Sequence, residues 1–211
     1  MPARSSSPAP KKRGYHHGDL RRALVTAALD LIGKGGPEAL TLREAAAAVG
    51  VTHPAAYRHF EDKTALLAAV AEEGYVALGG ELEKAVGGER APRARVRALA
   101  LAYVAFAMER PAHYRVMWGP RLNEDGRFPS LEAAVARVFD LVVAEIAGGQ
   151  TAGVFRKGDA RDLAVTVWIA AHGYTELVAR RRIKVRSPRV ATEYFDRLLG
   201  PVLDGLAARG R

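Results

Sequence analysis

The chain has 211 residues, of which 49% are hydrophobic and 26% are charged, a balance typical of a folded globular protein. It contains no cysteine, which excludes disulfide scaffolds, thiolate catalysis and cysteine-based zinc sites. The N-terminus lacks the apolar segment of a secretory signal. The longest nearly apolar run, 98–108, is too short to span a bilayer, so we expect a cytoplasmic protein.

Positive charge is concentrated near the N-terminus. The formal net charge is +9 at pH 7. Residues 1–60 hold nine cations and four anions, so more than half of the excess lies in under a third of the chain. Such a distribution favours a polyanionic partner, either nucleic acid or an anionic membrane surface.

The first segment, 1–14, is rich in serine, proline, lysine and arginine and predicts a disordered basic arm. From residue 15 onward the apolar residues follow helical spacing, with no alternating strand pattern of any length. Asp19 is placed to cap a first helix, which Gly35 and Gly36 end.

Three more helices follow from capping signals. Thr41 and Glu44 form a capping box that starts the second helix, and Gly50 stops it. Thr52 is expected to cap a short third helix, and Asp62 a long fourth helix.

Glycine and proline signals divide the remainder into five further helices. We expect them at about 93–109 (apolar almost all round), 111–119, 130–147, 159–181 and 188–208, with a loop at 120–129. The run GGQTAG, 148–153, is expected to form a turn. Gly200-Pro201 should kink or split the last helix.

Residues 41–60 have the arrangement of a helix-turn-helix. An amphipathic helix rich in alanine is followed by a tight turn at Gly50 and a second short helix, and the small side chains allow the helices to cross closely. Such a motif presents the N-terminal residues of its second helix to base edges in the major groove.

These residues resemble the Tet-repressor family of bacterial regulators. The resemblance runs through YHHGDLRRALVTAALDLI, TLREAAAAVGV and THPAAYRHFEDKTALLAAV and covers about 15–75. The body is similar to one branch of the family, whose effector domain carries a tryptophan–histidine–glycine signature. Here that signature reads Trp168, His172 and Gly173, supported by RPAHYRVMWG at 110–119.

The resemblance implies an all-α fold in two domains. Residues 15–62 would form a three-helix DNA-binding domain with a helix-turn-helix, and 63–211 a helical ligand-binding and dimerisation domain. The implied function is sequence-specific transcriptional regulation, and members of the family usually repress transcription. A dimer would bind a palindromic operator on double-stranded DNA and be released by a small-molecule effector.

A DNA-contacting set follows from the motif. The resemblance implies phosphate contacts for Thr41, Tyr57 and Lys63, and helix N-termini independently favour anions at Thr41, Thr52 and Lys63. His53, at the tip of the third helix, is expected to contact a base, whereas the ring of Tyr57 could instead be partly core. The full set is Thr41, Arg43, Thr52, His53, Pro54, Tyr57, Arg58 and Lys63, with Lys11, Lys12 and Arg13 following the backbone or entering a minor groove.

Two wide apolar stripes on the last two helices favour a four-helix dimer interface across a two-fold axis. The expected interface residues are Tyr174, Val178, Phe195, Leu198, Leu199, Val202 and Leu206. The alternative is that these stripes belong to the core of a single chain.

Aromatic and methionine side chains on neighbouring helices suit a cavity for a largely apolar effector of unknown identity. The expected lining is Tyr103, Phe106, Tyr114, Met117, Trp118, Phe139, Trp168 and His172. Alternatively these residues fill the core, and His172 is an interior hydrogen-bonded histidine.

Two other classes of function are weaker interpretations. An enzyme lacks support, because the sequence has no P-loop, G-x-G-x-x-G, G-x-S-x-G or H-E-x-x-H motif, and we expect no cofactor. The adjacent His16 and His17 do not share a helix face, so no metal site is expected. A membrane-surface binder would need one helix with a basic face opposite a bulky apolar face, which the first helix offers only faintly.

Overall fold

The computed structural model describes residues 17–208, with side chains from Leu20 onward. Within this part the regular secondary structure is helical, which confirms the all-α prediction. The helices are α1 (His17–Gly35), α2 (Leu42–Val49), α3 (His53–Tyr57), α4 (Lys63–Gly87), α5 (Pro92–Glu109), α6 (Pro111–Met117), α7 (Pro129–Thr151), α8 (Ala160–Ala179) and α9 (Pro188–Leu206).

Helices α1, α2 and α3 form a small head. The capping box and the turn predicted for α2 are both present in it. The Thr41 hydroxyl accepts a hydrogen bond from the Glu44 N–H at 3.1 Å, and the Glu44 carboxylate accepts one from the Thr41 N–H at 3.1 Å. Gly50 ends α2 with a φ of 75°, a left-handed conformation that costs glycine little. The turn between α2 and α3 is therefore fixed by local chemistry.

The body is built around α5, which packs against α4, α6, α7, α8 and α9. Leu99, Val104 and Phe106 of this helix are buried, as its nearly continuous apolar pattern predicts. Helix α4 joins the two parts, because it packs against α1 of the head and against α5, α6 and α7 of the body. Buried residues of head and body form one contiguous hydrophobic core.

Two helix boundaries differ from the prediction. Helix α1 begins at His17, so Asp19 lies inside its first turn and is not its cap. Helix α7 continues through Gly148 and Gly149 to Thr151, so the turn predicted from 148 is wrong. A Cβ at Gly149 would lie 2.1 Å from Cδ2 of Phe155, which shows that this glycine allows a close approach of the Phe155 ring.

Helix α9 is not split at Pro201, contrary to one of the two predicted outcomes. Proline removes the N–H that would bond to the carbonyl of Arg197. The leucines on both sides, Leu199 and Leu203, are nevertheless buried. Packing of both halves against the same core keeps the helix continuous.

Candidate DNA-binding surface and effector cavity

Helix α3 has one buried side and one exposed side. Ala55 and Ala56 face the head core, and Phe60, just after the helix, is also buried. His53, Pro54, Thr52, Tyr57 and Arg58 are exposed, with Tyr57 at 47%. The His53 and Tyr57 rings meet edge to face, with centroids 4.6 Å apart. The residues expected to contact DNA from this helix thus lie together on one accessible surface.

The helix N-termini beside α3 carry the other expected contacts. Thr41 and Arg43 at the start of α2 are exposed. The Nζ of Lys63, in the first turn of α4, donates to the carbonyl oxygen of Glu38 at 2.7 Å. Thr52 precedes α3 as expected but makes no capping hydrogen bond with its side chain. The N-terminal cations Lys11, Lys12 and Arg13 lie outside the described residues.

Two arginines of the body bind the head. Arg115 of α6 donates to the carbonyl oxygen of Ile32 near the end of α1, at 3.3 Å. Arg127, in the loop after α6, bonds to Glu61 at 3.0 Å and to Asp62 at 2.8 Å. The Asp62 carboxylate caps α4 through the N–H of Ala65. That hydrogen bond holds the pKa of Asp62 below its ordinary value, and Arg127 lowers it further.

A cavity of about 500 Å³ lies between α4, α5, α7 and α8, with Trp118 in its wall. This volume is in the range of small-molecule sites. The lining is mostly apolar and aromatic. It comprises Tyr75, Leu82, Leu99, Ala100, Tyr103, Trp118, Glu132, Val135, Ala136, Val138, Phe139, Asp140, Val142, Arg161, Val165, Val167, Trp168 and Ala171.

Only half of the expected pocket residues line this cavity: Tyr103, Trp118, Phe139 and Trp168. Of the others, Phe106 and Met117 are buried in the core. Met117 fills the space over Gly74, where a Cβ would lie 2.7 Å from its Sδ. Neither of these two side chains belongs to the lining of this cavity.

Tyr114 and His172 belong to a polar cluster beside the cavity and are not part of its lining. The Nδ1 of His172 lies 2.9 Å from the Tyr103 hydroxyl and 3.1 Å from the Tyr114 hydroxyl. Burial lowers the pKa of His172 and raises the pKa of both tyrosines, so all three groups are neutral near pH 7. His172 matches the alternative interpretation, an interior hydrogen-bonded histidine.

Apart from Phe139, the expected lining residues missed the wall of the cavity that α7 supplies. Val135, Val138, Phe139 and Val142 recur at helical spacing along it, so the periodicity could have identified this face. The guanidinium of Arg161 on α8 lies 4.7 Å from the centroid of the Phe139 ring. This cation–π contact joins α7 to α8 at the cavity.

Five of the seven expected interface residues are buried within the single chain: Tyr174, Val178, Phe195, Leu199 and Leu206. Side chains buried this completely have little area left for a partner, so for them the intrachain alternative holds. Val202 is half-buried, and Leu198 remains 43% exposed.

The exposed apolar residues of α8 and α9 are different ones. Of eight exposed large hydrophobic side chains among the described residues, five lie on these two helices, which pack against each other. We call this surface the α8–α9 face; it comprises Ile169, Leu177, Val190, Tyr194 and Leu198. Gly173 is exposed between Ile169 and Leu177, and a Cβ there would meet no atom within 4 Å.

Among residues 17–208 no three histidine, aspartate or glutamate side chains are grouped as a metal ion would require. None of the helices described combines the length and the apolar character needed to cross a membrane.

A helix-turn-helix head with an exposed second helix, joined to a helical body that contains a ligand-sized cavity, defines a DNA-binding regulator. Two family models match the chain. Residues 24–70 match the bacterial regulatory proteins of the tetR family, and 96–201 match the tetracyclin repressor-like C-terminal domain. The chain belongs to the TetR family of transcriptional regulators.

Individual relatives resemble different parts of the chain. The class C tetracycline repressor of Escherichia coli is 48% identical over 52 residues, which are 25% of this chain and 24% of that protein. The chain thus matches about a quarter of the length of its curated relatives. A protein of unknown function from Rhodococcus sp. RHA1 is 35% identical, covers 93% of this chain and 100% of its own, and superposes with a TM-score of 0.77.

The fold is also shared with AibR, whose crystal structure contains isovaleryl coenzyme A and operator DNA. The identity is 18%, with 86% of this chain and 98% of that one covered and a TM-score of 0.68. At this level of identity the similarity concerns the fold alone.

Proposed function

We propose that this regulator binds a palindromic operator as a homodimer, represses transcription, and is released by a small molecule in the cavity. The observation that carries the proposal is the accessible side of α3, where His53, Pro54, Tyr57 and Arg58 are exposed together. In this scheme 15–62 form the DNA-binding domain, 63–211 form the sensing and dimerisation domain, and the protein acts in the cytoplasm, where DNA lies.

In this proposal α3 enters the major groove, and His53 contacts a base edge. The starts of α2 and α4 hold phosphates, because helix N-termini present free N–H groups and a partial positive charge. The contacts of α3 and its neighbours are Thr41, Arg43, Thr52, His53, Pro54, Tyr57, Arg58 and Lys63, with Lys11, Lys12 and Arg13 added from the N-terminal segment. A single short helix contacts few base pairs, which is why a symmetric dimer with two half-sites is proposed.

The dimer is proposed to form through the α8–α9 face. This face groups aliphatic and aromatic side chains that water would otherwise surround. Gly173 leaves room for a helix of a second copy to approach closely. Two helices from each copy would make a four-helix interface about a two-fold axis.

Release by a ligand is proposed to act through α4 and α6. Helix α4 contributes Tyr75 and Leu82 to the cavity and begins at the head. Trp118, in the cavity wall, directly follows α6, and Arg127 connects the next loop to the cap of α4. Movement of these elements would change the position of each head, with a coupling free energy of typically 1–3 kcal/mol. The Trp168, His172 and Gly173 signature suggests the tryptophan–histidine–glycine branch of the family.

Selection of bound sequences from random duplex DNA tests the DNA-binding proposal. The expected result is an inverted repeat with half-sites about one helical turn apart. A protein that ignores duplex DNA at low ionic strength would contradict the proposal.

Two variants separate the roles of the residues. His53→Ala should relax the preference at particular base positions, by about 1–3 kcal/mol against the wrong base. Lys63→Ala should weaken binding to all sequences alike and reduce the salt slope by about one. Lys84→Ala, at the other end of α4, is the matched control and should change neither quantity. A uniform loss from both His53→Ala and Lys63→Ala would show that the base-contact assignment is wrong.

A further inference from the structure

Charge is confined to the mouth of the cavity. Three charged residues border it, Glu132, Asp140 and Arg161, and all three are exposed to solvent. The deeper walls are aliphatic or aromatic and include both tryptophans of the chain, Trp118 and Trp168. A ligand that enters therefore leaves water for a largely apolar interior.

The polar groups of this interior are paired, with one exception. The Tyr75 hydroxyl donates to the carbonyl oxygen of Met117 at 3.2 Å, and the Tyr103 hydroxyl is paired with His172 at 2.9 Å. The indole Nε1 of Trp168 is not among the buried donors that lack a hydrogen-bond partner.

Trp118 is the exception. Its indole Nε1 is buried, and within the described part of the chain it has no hydrogen-bond partner. A buried donor without an acceptor is unfavourable, and such groups are uncommon in folded proteins. Trp118 forms part of the cavity wall, but its Nε1 is itself covered, so a bound molecule can supply the missing acceptor only when the indole ring turns toward the cavity.

We propose that the cavity binds a neutral, largely apolar molecule whose carbonyl or ether oxygen accepts a hydrogen bond from Nε1 of Trp118. This proposal rests on the assignment of the cavity as the effector site. A carboxylate or an ammonium group deep in the cavity would lose its hydration without finding a charged partner, because the charged lining residues lie only at the mouth. The single unpaired donor selects an acceptor over a purely hydrocarbon ligand.

Three molecules of similar shape test this chemistry. The first is 9-fluorenone, and the second is fluorene, which has a methylene group in place of the carbonyl. The third is fluorene-9-carboxylate, which carries a carboxylate on that same carbon. Binding to the purified full chain is measured by equilibrium dialysis. Fluorenone should bind roughly threefold to tenfold more tightly than fluorene, the effect of one neutral hydrogen bond. The carboxylate should bind most weakly.

Two variants assign the effect to one atom. Trp118→Phe removes the unpaired donor and should make the affinities for fluorenone and fluorene equal. Trp168→Phe removes the other tryptophan of the wall and is the matched control, because its Nε1 is not a buried donor without a partner; the preference should persist. Thermal melts report whether each variant folds, and the preference of the unmodified chain tests the proposal even if a variant does not fold.

Four results would overturn the proposal: no binding of any of the three molecules, equal affinity of the unmodified chain for fluorenone and fluorene, tightest binding of the carboxylate, or an unchanged preference in folded Trp118→Phe. The dialysis contains no DNA, so its outcome is independent of the DNA-binding test. A chain that selects an inverted repeat but binds no fluorenone contradicts the ligand chemistry alone. A chain that binds fluorenone but no duplex contradicts the regulatory proposal.

Discussion

Truncation of Ile169 tests the proposed dimer at its most exposed apolar residue. Full burial of an aliphatic side chain is worth about 1.5–3 kcal/mol. Covering the 61% of Ile169 that a single chain leaves exposed is therefore worth about 0.9–1.8 kcal/mol. Each dimer contains two copies, and alanine retains the Cβ, so Ile169→Ala should cost roughly 1–3 kcal/mol per dimer, or about 5- to 150-fold in the dissociation constant.

Sedimentation equilibrium over a range of protein concentrations measures that constant directly. Val76→Ala is the control, because Val76 is 64% exposed but lies on α4, away from the α8–α9 face. Both substitutions exchange a β-branched residue for alanine in a helix, so their effects on helix propensity are similar. Equal dissociation constants for the two variants, or a wild-type chain that stays monomeric, would refute the use of this face.

Three further predictions concern the packing, the link between head and body, and the pH response. Gly149→Ala should lower the free energy of unfolding by about 1–3 kcal/mol, because its Cβ meets an aromatic ring. Gly148→Ala has open space around the Cβ and should raise the free energy of unfolding by about 0.5–1 kcal/mol. Urea denaturation measures both values, and changes in the same direction would contradict the packing argument. Arg127→Ala should speed amide hydrogen exchange in the first turn of α4 about twofold to fivefold by removing an exposed ion pair. The control Arg137→Ala breaks another exposed ion pair and should leave exchange in that turn unchanged. Equal exchange rates in the two variants would argue against a link between Arg127 and the start of α4. Burial lowers the pKa of His172, so below about pH 6.5 the unfolded chain takes up a proton more readily than the folded chain, and stability should fall. The melting temperature of His172→Asn should therefore decline less steeply between pH 7 and pH 5 than that of the unmodified chain. Identical slopes for the two proteins would show that His172 does not contribute.

Features set by near neighbours in the chain were predictable. The Thr41 capping box, the left-handed turn at Gly50 and the cap at Asp62 depend on residues within four positions of one another. The continuous apolar character of α5 likewise indicated its central position. These signals were sufficient for the all-α fold and for the helix-turn-helix.

Features set by distant contacts were not predictable in the same way. Gly149 looked like a helix stop, because its role depends on the ring of Phe155 in the following turn. Phe195 and Leu199 looked like interface residues, since an apolar stripe has the same pattern whether it meets its own chain or a second one. Tyr114 and His172 share the aromatic and polar composition of a pocket wall, but their hydroxyl and imidazole groups pair with each other.

The length of α4 gives it the geometry of a lever. The helix runs unbroken from its cap at Asp62 to beyond Leu82 in the cavity wall, and at ~1.5 Å per residue these points are roughly 30 Å apart. A tilt of only about 5° over that length displaces the far end by roughly 2.5 Å, which approaches the ~3.4 Å rise per nucleotide along the axis of a DNA helix. In the proposed dimer both arms would move at once, so a few ångströms of adjustment around a bound molecule would be enough to misalign the two heads with the grooves of the DNA.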